Sequence, residues 1–430
     1  MSKDIHIIGQ GTYGCVYKPY FDCVTKKPNE NSKDFLSKIQ VSNQTTENEI
    51  KIGKLVKSLD KTNNRFAPIE EDCKITIGEI NESGIEKCKL ITQYENYEKK
   101  NPKKNTNFKS TKIKFVGKEN LSEYLESGLI KMVKPSKEKE NEYLKKVVNT
   151  YLYLLESLIL LEKKSILHMD IKYNNIMYNG RSVILIDFGI SYDAENLKLE
   201  KYVKEKTPFG IKAPFYIPWC IEIIILSHIS HDKLNKKPED MEKVLNTPLK
   251  DISYLKTIIE TYQKKNMILN SENMFSNEDR KLFDENLKKW VESLEGKTWR
   301  EIWVLLTNTY KSWDNYSVAV MYLLEMQISG LLDISKKNES KIYINTYIDN
   351  LKQTIVAIPG TRQNPDATLS KCKSLFGRIP KQDHKKVVKT MKNLLSDKKN
   401  IKSMTEERAS INAETLEDEV KLNRKQQKMS

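Results

Sequence analysis

A polar run that begins at residue 168 constrains the fold and chemistry of this chain more than any other feature. Residues 168–175 are His-Met-Asp-Ile-Lys-Tyr-Asn-Asn, and residues 187–189 are Asp-Phe-Gly. Between them, residues 182–186 are apolar and β-branched, which predicts a strand that ends at Asp187. Phosphoryl transfer from ATP needs a carboxylate beside the attacking hydroxyl and oxygen ligands for magnesium. Asp170 can supply the first, and Asn175 and Asp187 can supply the second.

A second segment, close to the amino terminus, has glycines at the spacing G-x-G-x-x-G-x-V. Glycines let a strand–turn–strand close over phosphates, because no side chain blocks the backbone N–H groups. A dinucleotide-binding motif has similar glycines but opens a helix, whereas Val16 and Tyr17 continue as a strand. The predicted nucleotide-contacting residues are Ile8, Gly9, Gln10, Gly11, Thr12, Tyr13, Gly14, Cys15 and Val16.

Together, these motifs resemble those of the eukaryotic-type protein kinases, with their H-R-D-x-K-x-x-N catalytic loop and D-F-G metal motif. The resemblance implies an α+β, two-lobed protein kinase fold, with a small β-rich amino-terminal lobe and a large, mainly helical carboxy-terminal lobe. It implies that Asp170, Lys172 and Asn175 are catalytic, that ATP is the phosphate donor, and that Asn175 and Asp187 bind Mg²⁺. The D-x-K pattern is typical of serine/threonine kinases.

The same resemblance assigns roles to a lysine and a glutamate that follow the glycines. Residues 35–39 form a strand-like run that contains Lys38, which would anchor the α- and β-phosphates of ATP. A helical pattern begins near Thr45, with a threonine followed by acids as its predicted N-cap. One glutamate of this helix would pair with Lys38. Glu49 is preferred and Glu47 is the alternative, because the sequence does not fix the helical phase.

The rest of the predicted amino-terminal lobe offers two alternative positions for the adenine-binding hinge. Residues 74–92 are predicted as strands around a turn at 81–84, and residues 95–111 as an exposed insertion. Residues 113–125 resemble the fifth strand, hinge and following helix of a kinase. Adenine would then bind backbone groups at 116–118, with 93–95 as the alternative.

The carboxy-terminal part has further matches to the kinase pattern. Residues 217–222 are the closest match to A-P-E, and the resemblance implies a buried ion pair between Glu222 and a distant arginine, with Arg362 preferred. Residues 313–320 resemble the D-x-W/Y-S-x-G-V helix, with Ala319 replacing the glycine. His168 is predicted to be structural within the catalytic loop.

One departure from the pattern concerns regulation. Met169 stands where many kinases have an arginine that binds a phosphate on the activation loop. We therefore hypothesise that activity needs no phosphorylation of that loop. The nearby hydroxyl groups would then be incidental; they belong to Ser191, Tyr192, Tyr202 and Thr207.

The predicted domains are an amino-terminal lobe at 1–117, a carboxy-terminal lobe at 118–380 and a charged, disordered tail at 381–430. Residues 227–311 exceed what a typical kinase contains, and their helical patterns and tryptophans predict an ordered helical insertion. A role in substrate docking and simple packing on the lobe both remain open.

Bulk composition narrows the functional classes. No stretch approaches the roughly 20 apolar residues that span a bilayer. The six cysteines are scattered without a C-x-x-C pair, which predicts neither a zinc site nor disulfides and favours a reducing compartment. The net charge of +15 could favour nucleic acid. However, the chain is generally rich in Lys, Asn and Ile and has no nucleic-acid-binding motif, so nucleic acid is not predicted as the main partner.

A narrower resemblance is to the divergent serine/threonine kinases of large cytoplasmic DNA viruses. It rests on the catalytic loop, the degraded A-P-E match, the insertion and the composition. That resemblance implies a virion or host-cytoplasm setting and viral or host protein substrates; without it, a cytoplasmic setting is expected. The alternatives are a pseudokinase scaffold, which would be expected to lose Lys38, Asp170 or Asp187, and a small-molecule kinase, which usually lacks the glycine loop and D-F-G. A nucleic-acid-binding protein with a kinase fold is the third.

Overall fold

A computed structural model describes residues 6–11, 14–62, 64–102, 105–133, 142–205, 209, 213–329, 332 and 342–376. The chain is mixed α+β, with the main sheet in its amino-terminal part and mostly helices in its carboxy-terminal part. It divides into two compact units, which we call the β-rich unit (1–119 with 175–191) and the helical unit (120–174 with 192–430).

The strands, numbered in chain order, are β1 (His6–Gln10), β2 (Gly14–Lys18), β3 (Phe21–Asp22), β4 (Lys27–Pro28), β5 (Phe35–Val41), β6 (Ile69–Ile75), β7 (Phe108–Lys114), β8 (Glu119–Asn120), β9 (Ile166–Leu167), β10 (Ile176–Tyr178), β11 (Val183–Leu185) and β12 (Tyr192–Asp193).

The α-helices are α1 (Gln44–Leu59), α2 (Ile77–Glu82), α3 (Lys89–Lys100), α4 (Leu121–Val133), α5 (Glu142–Glu162), α6 (Leu199–Glu205), α7 (Ile221–His228), α8 (Pro238–Leu245), α9 (Ser253–Lys265), α10 (Asn277–Glu292), α11 (Trp299–Thr307), α12 (Trp313–Ile328), α13 (Ile342–Ile355) and α14 (Pro365–Phe376). Short 3₁₀ turns cover Tyr173–Asn175, Ala194–Leu197 and Tyr310–Ser312, and a π-helical turn covers Ile229–Lys233.

An antiparallel sheet in the order β1-β2-β5-β7-β6 is the framework of the β-rich unit. Its register places Lys38 on β5 between Val16 of β2 and Thr111 of β7. The predicted strand at 35–39 is therefore confirmed, and it is a central strand. Glycine is required at position 14, where β2 pairs with β5, because a Cβ at this position would lie 2.8 Å from the carbonyl oxygen of Ile39.

The helix after β5 begins at Gln44, one residue before the predicted start near Thr45, and has a different cap. The side chain of Asn43 accepts a hydrogen bond from the backbone N–H of Thr46 at 2.9 Å, so asparagine, and not a threonine, is the N-cap of α1. Asparagine satisfies an exposed N–H of the first turn as well as threonine does. The hydroxyl of Thr46 instead donates to the carbonyl oxygen of Val41 at 2.7 Å.

Two predictions for the segment after β6 were wrong. Residues 74–92 do not form strands around a turn, because β6 ends at Ile75 and helices α2 and α3 follow. Thr76 and Glu79 form a reciprocal capping box that starts α2, a local pattern that outweighs the alternation of apolar residues. Residues 95–111 are not one exposed insertion either, since they include the end of α3 and the start of β7.

The prediction that the cysteines form no disulfides was also wrong. Cys15 is bonded to Cys88 and Cys23 to Cys73, both within the β-rich unit, while Cys220 and Cys372 are free and buried. The bonded partners are 73 and 50 residues apart in sequence. Only the folded sheet brings them together, so short-range cysteine spacing cannot predict them.

Cross-links of this length are expected to stabilise the β-rich unit. We expect the double variant Cys15→Ser/Cys88→Ser to lose about 2–4 kcal/mol of unfolding free energy, because the unfolded chain regains the entropy of the opened loop. Urea unfolding without reductant measures the loss. Thiol labelling of the denatured wild type is the control: two thiols should react without reductant and six with it, as the pairing requires. Six reactive thiols without reductant would contradict the pairing.

Helices α5 and α12 form the core of the helical unit. The rings of Tyr151 on α5 and Tyr322 on α12 meet edge to face, with centroids 5.0 Å apart, and most side chains of α12 are buried. No described helix is both long and apolar enough to cross a membrane.

The predicted insertion at 227–311 is ordered and helical, as expected. It contains α8 to α11, and capping boxes start α10 at Ser276 and α11 at Thr298. Trp303 is fully buried, and its indole N–H donates to the carbonyl oxygen of Leu197 at 2.8 Å. Substrate docking by this insertion stays a prediction, and the predicted tail at 381–430 lies outside the described residues.

Candidate active site

The glycine segment forms a tight antiparallel turn between β1 and β2. The N–H of Gly11 donates to the carbonyl oxygen of Gly14 at 2.9 Å, and Gln10 lies opposite Cys15 in the strand register. The predicted contact residues Ile8, Gly9 and Val16 flank this turn, whereas Thr12 and Tyr13 lie outside the described residues. The side chain of Cys15 is bonded to Cys88, so only the backbone of Cys15 can contact a ligand.

Lys38 lies at the centre of a buried ion-pair cluster in the β-rich unit. Its Nζ is 2.7 Å from Oε1 of Glu49 and 3.0 Å from Oδ1 of Asp187. Burial alone would lower the pKa of Lys38, but the charges of Asp187 and Glu49 outweigh burial and raise it. The amine therefore stays charged at neutral pH and can hold an anionic ligand.

The helical phase of α1 decides between the two candidate glutamates. Glu49 is 4% exposed and pairs with Lys38, whereas the Glu47 side chain is 54% exposed and lies 3.2 Å from Nζ of Lys109. Positions two apart on an α-helix point in nearly opposite directions, so only one can face the sheet. The structure favours Glu49, the preferred assignment.

The β10–β11 hairpin brings the two candidate metal ligands to one end. Ile176 pairs with Leu185, and the N–H of Ile186 donates to the carbonyl oxygen of Asn175 at 3.0 Å. Asn175 therefore precedes one strand where Asp187 follows the other. The strand predicted at 182–186 is confirmed over Val183–Leu185, and it pairs with Ile176–Tyr178.

The donor set of this hairpin end fits magnesium better than a transition metal. Among the described residues, no group of three or more His, Cys, Asp or Glu side chains could hold a metal ion. Mg²⁺ in nucleotide sites commonly takes one or two protein oxygens, with water and phosphate completing its shell. The amide oxygen of Asn175 and the carboxylate of Asp187, whose side chain is 42% exposed, are ligands of that kind.

The segment after Asp187 is held by residues that sequence reasoning did not identify. The ring of Phe188 contacts that of Phe66, with centroids 6.3 Å apart. The side-chain amide of Asn48 on α1 donates to the carbonyl oxygen of Ser191 at 2.6 Å. The N–H of Gly189 donates to Oδ1 of Asp187 at 3.2 Å, which orients the carboxylate. Nothing in local sequence marked Phe66 or Asn48 for these contacts.

Of the two proposed hinge positions, only residues 115–118 have an irregular backbone. Gly117 has φ +153°, and a Cβ at this position would lie 2.2 Å from the carbonyl oxygen of Tyr178, so the chain passes close to β10. Residues 93–95 lie inside α3, where intrahelical hydrogen bonds use the backbone groups that an adenine edge would need.

In the helical unit, Asp314 holds the backbone of the polar run from α12. Its carboxylate accepts the N–H groups of His168 at 2.7 Å and Met169 at 2.9 Å. Burial raises the pKa of Asp314, and His168 and these two donors oppose that rise. His168 is fully buried, and its Nδ1 accepts the N–H of Asp170 at 3.3 Å, which agrees with the predicted structural role.

The carboxylate of Asp170 has two neighbours that donate to the same oxygen. Nζ of Lys172 lies 3.2 Å from Oδ1, and the hydroxyl of Tyr216 donates to Oδ1 as well. The indole N–H of Trp219 donates to the carbonyl oxygen of Met169 at 2.8 Å. Sequence reasoning assigned roles to Asp170 and Lys172 but missed Tyr216, which precedes the predicted A-P-E match, and Trp219, which lies within it.

The predicted ion pair between Glu222 and Arg362 is confirmed. The guanidinium forms two bonds, from Nη1 to Oε1 at 2.7 Å and from Nη2 to Oε2 at 3.2 Å, and both side chains are buried. Arg362 Nε also donates to the carbonyl oxygen of Thr354 at 3.0 Å. The partner that Glu222 needed in the interior is present.

Comparison with known proteins adds no family to this geometry. No protein-family model matches the chain, and none of the curated proteins matches it significantly.

Proposed function

We propose that this chain is an ATP- and Mg²⁺-dependent protein serine/threonine kinase with a two-lobed kinase fold. The observation that carries the proposal is the position of Lys38 between Glu49 and Asp187. Each of these residues comes from a different motif, and Lys38 and Asp187 are 149 residues apart in sequence. Their meeting in one cluster, around the buried Lys38, supports the kinase assignment of all three.

In the β-rich unit, the proposed roles are binding and orientation of ATP. The glycine segment would lie over the phosphates, and Lys38 offers a charged amine for the α- and β-phosphates. Asn175 and Asp187 would hold Mg²⁺, which neutralises charge on the phosphates when bound. Glu49 keeps the amine in place.

In the helical unit, the proposed roles concern the acceptor hydroxyl. Asp170 would orient the serine or threonine hydroxyl of a protein substrate and accept its proton. Lys172 would stabilise the charge of the transferring phosphoryl group. Because such catalysis is mainly positioning and electrostatics, the contacts that fix Asp170 also contribute to it. A viral setting stays a prediction.

The experiment that tests this function is transfer of labelled γ-phosphate from ATP, with Mg²⁺, to a basic protein and to casein. Wild type and Asp170→Asn are compared, and labelled amino acids are identified after hydrolysis. Label on serine or threonine that is lost in the variant supports the proposal. Equal labelling by both proteins contradicts the role of Asp170, and no transfer despite ATP binding favours the pseudokinase alternative.

The Lys38–Glu49 pair gives a further prediction. We expect Glu49→Gln to lower kcat/KM for ATP by about tenfold, because a neutral amide holds the Lys38 amine less firmly than a carboxylate does. Steady-state transfer at varied ATP measures this change.

Glu47→Gln is the matched control, because it makes the same chemical change on the same helix at the Glu47–Lys109 pair, where the Glu47 side chain is 54% exposed. It should leave kcat/KM within about twofold of wild type. If the two variants behaved alike, Glu49 would have no special role.

A further inference from the structure

Two aromatic side chains from residues 213–220 bind the loop that contains Asp170. Tyr216 donates its hydroxyl to the Asp170 carboxylate, and Trp219 donates its indole N–H to the carbonyl oxygen of Met169 at 2.8 Å. Both aromatic residues are 3% exposed, and their rings meet edge to face at 5.5 Å. The contacts are therefore shielded from water.

The Tyr216 contact acts directly on the orientation of the carboxylate. The side chain of an aspartate can rotate about its terminal bond, so a single donor leaves its plane poorly fixed. Lys172 and Tyr216 approach the same oxygen, Oδ1. Bonds to an ionised acceptor are roughly twice as strong as neutral ones. Together, the two donors set the direction of the second carboxylate oxygen.

The segment that carries these aromatics is held by other groups of the same unit. The hydroxyl of Ser317 donates to the carbonyl oxygen of Pro218 at 2.6 Å. The N–H of Trp219 donates to the carbonyl oxygen of Tyr216 at 2.9 Å, and Glu222, which follows closely, is paired with Arg362. These contacts hold the segment on both sides of Trp219.

Residue 169, whose carbonyl accepts the Trp219 bond, has no cationic side chain. Met169 is 2% exposed, and its backbone is fixed at the N–H by Asp314 and at the carbonyl by Trp219. A phosphate placed on a neighbouring segment would find no charged partner at this position. Aromatic hydrogen bonds hold the loop instead.

We propose that Tyr216 is a positioning residue for Asp170. Together with Trp219, it fixes residues 213–220 on the catalytic loop without phosphorylation of the chain. The expected effect on catalysis rests on the proposed kinase function. The fixing of residues 213–220 can be measured without any activity.

The kinetic test uses Tyr216→Phe and Trp219→Phe, which remove the donor and keep an aromatic ring. We expect kcat to fall by about tenfold in Tyr216→Phe while KM for ATP stays within about twofold, because the bond affects the acceptor side. Trp219→Phe should lower kcat in the same direction. Phosphatase treatment of wild type should leave kcat unchanged.

Two variants elsewhere in the helical unit are matched controls. Tyr254→Phe removes a hydroxyl that donates to Asp232 at 3.0 Å, and Trp303→Phe removes an indole bond to a backbone carbonyl at 2.8 Å. Both should keep the kcat of wild type. Thermal unfolding of all four variants separates a loss of positioning from a loss of folded protein.

Hydrogen exchange of residues 213–220 provides the readout that needs no activity. Phosphatase treatment should leave the exchange of wild type unchanged, and Tyr216→Phe should accelerate it. If wild type transfers no phosphate but exchange behaves as stated, the kinase function fails and the fixed segment stands. Suppose instead that wild type transfers phosphate and Asp170→Asn does not. The kinase proposal then stands, and either of two results would overturn the proposed role of Tyr216: a Tyr216→Phe variant with wild-type kcat, or loss of wild-type activity after phosphatase treatment.

Discussion

Replacing Asp170 by asparagine is expected to lower kcat for phosphoryl transfer by about 10³-fold, with the Kd for ATP within about twofold of wild type. Asparagine has nearly the same shape, so Tyr216 and Lys172 can still contact its oxygen. However, it carries no charge to orient the acceptor hydroxyl and cannot accept its proton. The Lys38 cluster, which holds the phosphates in our proposal, does not include Asp170.

Steady-state transfer and calorimetric ATP binding, measured on the same preparation, separate the two effects. Asp251→Asn is the matched control, because Asp251 is an exposed carboxylate that accepts bonds from Ser253 at the start of α9. It should match wild type in both measurements. An Asp170→Asn variant with more than a tenth of the wild-type kcat would show that this carboxylate is not the proton acceptor.

Replacing Arg362 by leucine is expected to cost about 3–5 kcal/mol of unfolding free energy, which is a large part of the stability of a typical domain. The loss arises because Glu222, at 0% side-chain exposure, is left in the interior without its partner. The bonds from Arg362 to the carbonyl oxygens of Thr354 and Ala357 are lost as well. Chemical denaturation followed by circular dichroism measures the change.

Arg300→Leu is the control for this prediction. Arg300 lies 2.6 Å from Glu242, a distance as short as that of the buried pair, but the two side chains are 33% and 51% exposed. Water solvates both charges after the change, so the loss should stay within about 1 kcal/mol. Equal losses in the two leucine variants would show that burial does not set the cost of breaking the Glu222 pair.

The parts of the site that the sequence predicted are those fixed by short-range patterns. Asp170, Asn175 and Asp187 occur at characteristic spacings next to predicted strands, and the structure places the last two at one end of the β10–β11 hairpin. Glu222 was matched with a distant arginine because a buried carboxylate needs a cation. Arg362 is that cation.

The parts that the sequence could not predict depend on tertiary packing or on competing local patterns. Tyr216 carries no motif of its own, and only the fold brings its hydroxyl to Asp170. The choice of Glu49 over Glu47 needed the helical phase of α1, which the sheet sets by burial. Strands were predicted at 74–92, whereas the capping box of Thr76 and Glu79 starts helix α2 there.

In the β10–β11 hairpin, the positions of the candidate metal ligands do not depend on the sequence of the turn that joins the two strands. The strand register and the Ile186–Asn175 bond set the ligand positions, whereas the turn at 179–182 is closed locally by Asn179, whose side chain accepts the N–H groups of Arg181 and Ser182. The turn is thus a natural attachment point for engineering. A short peptide tag or a fluorophore site could replace it without altering the spacing of Asn175 and Asp187.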